Sequence, residues 1–447
     1  MQKEVCVLAA SGMLGSGFSE DTLHKALSMK PDVIGCDAGS CDPGPYFLGA
    51  GVSRASRAAV KRDLRLIVHA GVENGIPVLV GSAGTAGGNP HLEWTLEILD
   101  EIVKEDDLHF KLATIESEIS KEKLIEYFQA GKVKELYPAP ELNEKKIKNF
   151  TRIVGVMGPE PYIKALEEGA QVVIAGRSSD TSIYAAVPIM KGLNNGPAWH
   201  AAKLLECGTG CVELRARGDC MMAWVREDSF SVEPPNAEMR CTPVSCVSHA
   251  LYENASPFDM YEPGVVLHMQ NSTYTAENDR RVLIKGSILE HSKQYTVKIE
   301  GAELLGYREI AIGGVRDPLI LRQFDTYMDG LIDAIHKKIK ISTGFDKDDY
   351  KINYHVYGNP NQDDPKEIGV LFQVLAKTEK DAHSIMANAW HLALHHPIKE
   401  WSGLQSQFAF PFSPPAISTG AVYGFCLNHI IEVDDPLELF TINYRQF

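Results

Sequence analysis

The chain has 447 residues, 44% of them hydrophobic, enough to bury a large core and to fill two or three domains at about 100–200 residues each. Its 59 acidic residues against 44 basic ones, a formal net charge of −15, argue against a nucleic-acid backbone as the main partner, because that binding rests on basic surface. No run reaches the roughly 18 consecutive apolar residues of a membrane-spanning helix. Residues 1–10 lack the charged start and cleavage site of a secretory signal, and nine scattered cysteines, an odd number, suit a reducing compartment; the expectation is a cytoplasmic protein with no membrane association.

From residue 4 to about 182 short apolar runs alternate with helical patterns, as βα units around a parallel sheet require. Residues 5–9 read as a strand, 21–29 as a helix, 32–36 as a strand, 54–74 as a long helix and 77–81 as the next strand. A helix at 91–104 and a strand at 110–115 follow. After an amphipathic stretch at 121–129, residues 152–156, 162–168, 172–175 and 181–190 continue the alternation. From about 213 to 340 the character changes to short β-rich runs such as 220–225, 282–287 and 295–297. A strand at 367–376, a helix at 380–395 and a strand at 421–431 then suit a small ferredoxin-like unit. The predicted class is α/β, with a parallel-sheet main domain at 1–212, an α+β region at 213–340 and a ferredoxin-like carboxyl-terminal unit at 341–447.

Four loops that follow predicted strands are rich in glycine: 11–17 (SGMLGSG), 37–45 (DAGSCDPGP), 81–88 (GSAGTAGG) and 176–181 (GRSSDT). In a parallel sheet such loops all emerge at the carboxyl edge of the strands, so they converge on one crevice. Asp37 and Asp42, held by turn residues, are placed to serve as general bases or as ligands for a hydroxyl or a divalent cation; capping of turns and helix starts is the plainer role for both. Ser40, between them, is a candidate for binding the substrate or its anionic group. In 81–88 the amides around Ser82, Gly84, Thr85, Gly87 and Gly88 suit an anion, although the lysine of a phosphate-binding P-loop and the spacing of a dinucleotide loop are both missing. Arg177 offers a planar fork for a carboxylate or phosphate, flanked by Ser178 and Ser179. Asp180 is either a third catalytic acid or a helix cap.

Two cysteine groupings invite a metal reading: Cys207 and Cys211, near His200, and Cys241 with Cys246. Neither shows the second matching pair of a zinc site, and Gly208 with Gly210 suggest a helix that ends in a sharp turn. His391 and His395 lie four apart on a helix but lack the glutamate order of a zinc protease. The stretch 408–415 (FAFPFSPP) reads as core packing ahead of a pocket lining or a subunit contact.

The segments 35–45 (GCDAGSCDPGP), 169–180 (GAQVVIAGRSSD) and 408–414 (FAFPFSP) resemble the acyclic terpene utilisation family, AtuA-like proteins, and the likeness spans most of the chain. It implies a large α/β domain, an association with breakdown of branched acyclic terpenes through acyl-CoA acids, and, in many members, a small ferredoxin-like partner. Loop residues, including 11–17 and Cys41, depart from the better-known terpene-pathway members, so the substrate does not carry across.

With no nucleotide-redox fingerprint, the expected function is that of a lyase or hydratase acting on a branched or hydroxylated carboxylic acid or its CoA thioester. Asp37 or Asp42 would remove a proton beside a carbonyl, while Arg177 and the 84–88 amides steady the enolate. The alternatives are a hydrolase or acyl transferase using Ser40, Cys41 or Ser82, which needs a base that these loops do not supply, and a non-catalytic scaffold completed by a small partner. A homo-oligomer is the default for such proteins. The cofactor is left open, with a divalent cation between Asp37, Asp42 and Asp180 as one option.

Overall fold

The structure is a computed structural model that describes residues 3–193, 195–213, 218–254, 256–360, 362, 366–400 and 407–447. The chain forms two compact units, Met1–Glu303 with Phe425–Phe447, and Leu304–Gly424.

A ten-stranded sheet runs through the first unit. At its centre Val5–Ala9, Val33–Asp37, Val78–Gly81, Val172–Ala175 and Lys111–Glu116 lie side by side in that order, all parallel. Helices cover both faces, which is why strands such as Val5–Ala9 and Val172–Ala175 read as unbroken apolar runs rather than as alternating ones. Val5, Val7, Val33 and Val173 pack with Ile183, Tyr184 and Val187 of the helix Asp180–Met190. Their neighbours Cys6, Leu8, Ile34 and Val172 pack on the other side with Leu64 and Ile67 of Arg57–Asn74 and with Ile98 and Leu99 of Asn89–Asp106. Local chemistry sets the helix ends: Ser56 accepts a bond from the Ala59 amide, and Gly75 closes the same helix at φ 65°. Those are the usual start and stop signals.

The change in character at residue 213 coincides with a switch from parallel to antiparallel strands in this same sheet. Met221–Val225 pairs antiparallel with Val5–Ala9, and Ser229–Glu233, Val282–Lys285 and Thr273–Ala276 follow outwards. The strand Phe150–Gly155, expected to extend the parallel alternation, pairs antiparallel with the first part of Tyr295–Val315 instead. Asp259–Glu262, Val265–His268 and Ile288–His291 form a separate small sheet.

The second unit has the order strand, helix, strand, strand, helix, strand: Tyr295–Val315 from Leu304 onward, Phe324–Thr343, Tyr350–Tyr357, Ile368–Ala376, Glu379–His395 and Ala416–Phe425, with the short helix Pro318–Arg322 before the first long one. The strands lie side by side as fourth, first, third, second, which is the ferredoxin-like arrangement. This unit starts before residue 341, since its first strand and first long helix precede that point, and His429–Val433 pairs within the first unit. Phe408 is buried with Tyr327 and Phe372 and stacks on the half-buried Phe410 at 5.9 Å between ring centres, whereas Ala409 and Pro411 to Pro414 are exposed, so only the start of the aromatic and proline stretch packs in the core of this unit. Among the described residues, no helix is long and apolar enough to cross a membrane.

Candidate functional site

The glycine-rich loops meet at the carboxyl edge of the parallel strands. Backbone bonds tie them in series: Leu14 N donates to Asp37 O (2.7 Å), Ala38 N to Gly81 O (2.9 Å) and Ser82 N to Gly176 O (2.9 Å). Much of their glycine content serves this close packing. In 11–17 the amides of Gly15 and Gly17 donate to Asp63 Oδ2, each at 2.9 Å. Residues 81–88 are buried throughout. A Cβ at Gly87, where φ is +67°, would lie 2.1 Å from Arg177 N, and one at Gly84 or Gly88 would meet His91 or Arg152. Ser82 and Thr85 hold left-handed φ values of 50° and 92°, costly for residues with a Cβ. Thr85 Oγ1 accepts from the Arg54 amide at 2.9 Å. Ser82, Gly84, Thr85, Gly87 and Gly88 thus form a packed support beneath Arg177.

Arg177 is the hub. Its Nε donates to Glu300 Oε2 (2.9 Å); its Nη1 donates to Ser178 O (2.7 Å), Ser82 Oγ (3.1 Å) and Asp180 Oδ1 (3.2 Å). None of these bonds uses Nη2. Burial works against both charges of the Arg177–Glu300 pair, but each favours the other's ionised form. The guanidinium is raised well above its ordinary value, and Glu300, helped by Lys298 at 3.3 Å, is held at about 2.

The aspartates differ sharply. Asp37 is buried, its Oδ2 accepts from Gly39 N at 3.1 Å, and its Oδ1 has no partner among the described residues. Burial, and then the charge of Asp180, push its carboxyl well up despite Arg177. Asp180 is itself raised by burial, against the pull of Arg177. The Asp180 charge thus disfavours ionisation of Asp37, as a like charge nearby does. Asp42 is exposed, and Ser40 Oγ donates to its Oδ2 at 2.6 Å, a local turn contact. Ser178 Oγ pairs with Tyr162 Oη at 2.6 Å, and Ser179 donates its hydroxyl to Glu262. Cys41 is buried beside Glu300, and burial followed by that carboxylate drives its thiol up.

Arg177, Ser179 and Asp180 line one wall of a cavity of about 650 Å³ in the first unit. Its other polar groups were not singled out from sequence. Lys203 and Glu206 come from the end of Gly196–Leu205, Glu262 from the small sheet, and Lys298 from Tyr295–Val315. Lys203 Nζ lies 2.6 Å from Glu206 Oε1, and both side chains are almost fully buried. Burial raises Glu206 to about 8, outweighing Lys203, with Asp180 and Glu262 as further negative neighbours. Burial likewise raises Glu262 to about 7, against the hydroxyls of Ser179 and Thr181. One signal was available: Lys203 and Glu206 are charges embedded in an otherwise apolar helical run, WHAAKLLE, and charges are rarely buried unless paired. Glu262 and Glu300 sit in strands and carry no local signature.

Two sets of metal-ligating side chains gather among the described residues with their atoms within 4.8 Å of one another: Glu206 with Cys207 and His249, and Cys211 with Cys241 and Cys246. Asp37, Asp42 and Asp180 are not such a set. In the first set the Lys203 ammonium already supplies the cation for Glu206. His200 belongs to neither; its ring nitrogens meet Ser287 Oγ at 3.1 Å and Tyr274 Oη at 3.0 Å, and burial lowers it to about 3.

Fold and site together define an open α/β protein with an acid-rich cavity beside the carboxyl edge of a parallel sheet, and with a ferredoxin-like module in the same chain. The chain matches the acyclic terpene utilisation family protein AtuA over residues 57–411, well over half of its length, and it belongs to that family. No curated protein and no solved structure matches it.

Proposed function

We propose that this AtuA family member serves acyclic terpene utilisation as a lyase or hydratase, acting on a branched or hydroxylated carboxylic acid or its CoA thioester in the Arg177–Asp180 cavity. The observation that supports it most is the group of carboxyls around one cavity, the buried Glu206 with the half-buried Asp180 and Glu262, each raised by desolvation. General acid–base catalysis is most effective when a group's pKa lies near the working pH. Acids that keep their protons near pH 7 suit a leaving hydroxyl.

In this reading the Asp180 carboxylate, paired with Arg177, takes the proton from the carbon beside the substrate carbonyl. The electron pair released forms the new C=C bond as the C–O bond to the neighbouring hydroxyl breaks. Glu262 or Glu206 gives its proton to the departing oxygen, which leaves as water. Arg177, Lys203 and Lys298 are the cations of the cavity wall, and the substrate carboxylate or thioester oxygen is placed against them. Ser40, Ser178 and Ser179 hold the loops. Asp42, which is exposed, contributes charge near Asp180 rather than proton transfer. The nucleophile alternative has less support, because Cys41 is held as a thiol beside Glu300 and Ser82 Oγ is engaged by Arg177. The ferredoxin-like unit at 304–424 favours a chain that carries this module itself over one that borrows it.

The test is to incubate the full chain with hydroxy acids and their CoA thioesters in D2O. Enoyl absorbance reports dehydration, and mass spectrometry reports exchange at the carbon beside the carbonyl. Asp180→Asn should abolish both, whereas Glu262→Gln should slow dehydration more than exchange. Equal rates in wild type and Asp180→Asn would remove Asp180 from the mechanism; neither signal from any compound would remove the reaction class.

A further inference from the structure

We infer that Cys211, Cys241 and Cys246 form a buried thiolate site for a soft metal ion, separate from the acid-rich cavity. The three come from three elements: the short helical turn Thr209–Cys211, the residue that bridges to Val212, and the first turn of the helix Pro243–Ala250. Their sulfurs all lie within 4.8 Å of one another, with Cys211 Sγ and Cys241 Sγ 4.0 Å apart. Thiolates around a tetrahedral ion with metal–sulfur bonds of about 2.3 Å are separated by roughly 3.8 Å. A disulfide would need about 2.05 Å. The observed separation fits an ion between the sulfurs, not a bond between them.

The frame around the sulfurs is fixed without the ion. Thr242 and Ser245 form a reciprocal cap at the start of Pro243–Ala250, and Ser245 Oγ also donates to Cys211 O at 2.8 Å. The antiparallel bridge of Val212 with Cys241 and the bond from Cys241 N to Arg280 O at 3.1 Å hold the other two positions. Cys246 faces this cluster, and His249, three residues on, belongs to the other set. The pairing was hidden in the sequence because Cys207 and Cys211, which look like one motif, are divided between the two sets. Cys241 and Cys246 find their third partner thirty residues upstream.

Three sulfur donors select the class of ion, since thiolates favour Cu⁺ and Zn²⁺ over the oxygen-seeking Mg²⁺ and Ca²⁺. Among the described residues no fourth His, Cys, Asp or Glu joins them. Cu⁺ is content with three sulfurs, whereas Zn²⁺ would complete its shell with an exogenous ligand. Loading displaces the thiol protons to solvent, so affinity rises with pH.

The test uses the reduced, metal-free full chain titrated with Co²⁺, Cd²⁺ and, anaerobically, Cu⁺. One equivalent should bind with sulfur-to-metal charge-transfer absorption. That band should vanish in Cys241→Ser and Cys246→Ser and persist in Cys426→Ser, and the affinity loss should exceed the ~10–100-fold typical of losing a group that merely supports a ligand. Competition between Cu⁺ and Zn²⁺ under buffered chelators assigns the ion. X-ray absorption of the loaded wild type, which does not depend on the variants folding, should find three sulfur neighbours at about 2.3 Å. An oxygen and nitrogen shell, no bound equivalent, or an unchanged band in a folded Cys246→Ser protein would overturn the site.

Discussion

Replacing Glu206 with Gln should alter how stability depends on pH. Glu206 is raised by burial from 4.5 to about 8, so between these values the folded chain binds a proton that the unfolded chain has lost. Stability from this group is therefore fully present below about pH 4.5 and is lost as the pH rises through about 8. A tenfold difference in proton affinity between the folded and unfolded chain is worth about 1.4 kcal/mol, so raising the pH from about 5.5 to about 9 should cost the wild type roughly 3 kcal/mol through this residue. Glutamine keeps an oxygen for Lys203 Nζ and carries no titration. With unfolding entropies near 2.1 cal/mol/K per residue, a unit of roughly 330 residues converts that into about 4–5 °C of melting temperature. The assay is a pair of thermal scans across that pH range under one buffer series. The wild-type melting temperature should fall by that margin relative to Glu206→Gln as the pH rises. Parallel curves would show that Glu206 ionises normally in the folded chain, and would take with it the argument that this cavity stores protons near neutrality.

If turnover needs protonated Glu262 and Glu206, kcat/KM should decline as the pH passes through about 7 to 8, and Glu262→Gln should flatten the lower part of that decline; a profile flat from pH 6 to 9 would contradict it. Arg177→Ala leaves the buried Glu300 and the half-buried Asp180 without their common partner, and uncompensated buried charge such as that of Glu300 typically costs about 3–5 kcal/mol; urea unfolding within about 1 kcal/mol of wild type would count against the hub. Gly75→Ala and Gly87→Ala share a left-handed φ, but a Cβ at Gly75 meets nothing within 4 Å whereas one at Gly87 meets Arg177 N at 2.1 Å. The first should cost about 1–2 kcal/mol, from the left-handed conformation alone, and the second distinctly more, with equal melting temperatures arguing against tight loop packing.

What the sequence revealed, and what it hid, follows from how far each signal reaches along the chain. The parallel strands were legible because burial on both faces makes runs such as Val172-Val173-Ile174-Ala175 apolar throughout, and the loops after them because glycine is required where backbones pass this closely. The same loops misdirect when glycine is taken as a sign of ligand binding. Gly87 is small because Arg177 N lies behind it, and the amides of Gly15 and Gly17 are already spent on Asp63. Arg177 and Asp180 could be found because they follow a strand directly. Their partners could not: Glu300 is 123 positions from Arg177 and Glu262 is 83 from Ser179, and each sits on a strand whose local pattern gives its carboxylate no distinction. The ferredoxin-like unit was legible from 367 onward, but its first strand is the later part of the 21-residue Tyr295–Val315. Since that strand also pairs with Phe150–Gly155 and His429–Val433 before reaching the second unit, its pattern of burial changes along its length. No single period marks it, and a boundary inside a continuous strand leaves no turn residue to announce it.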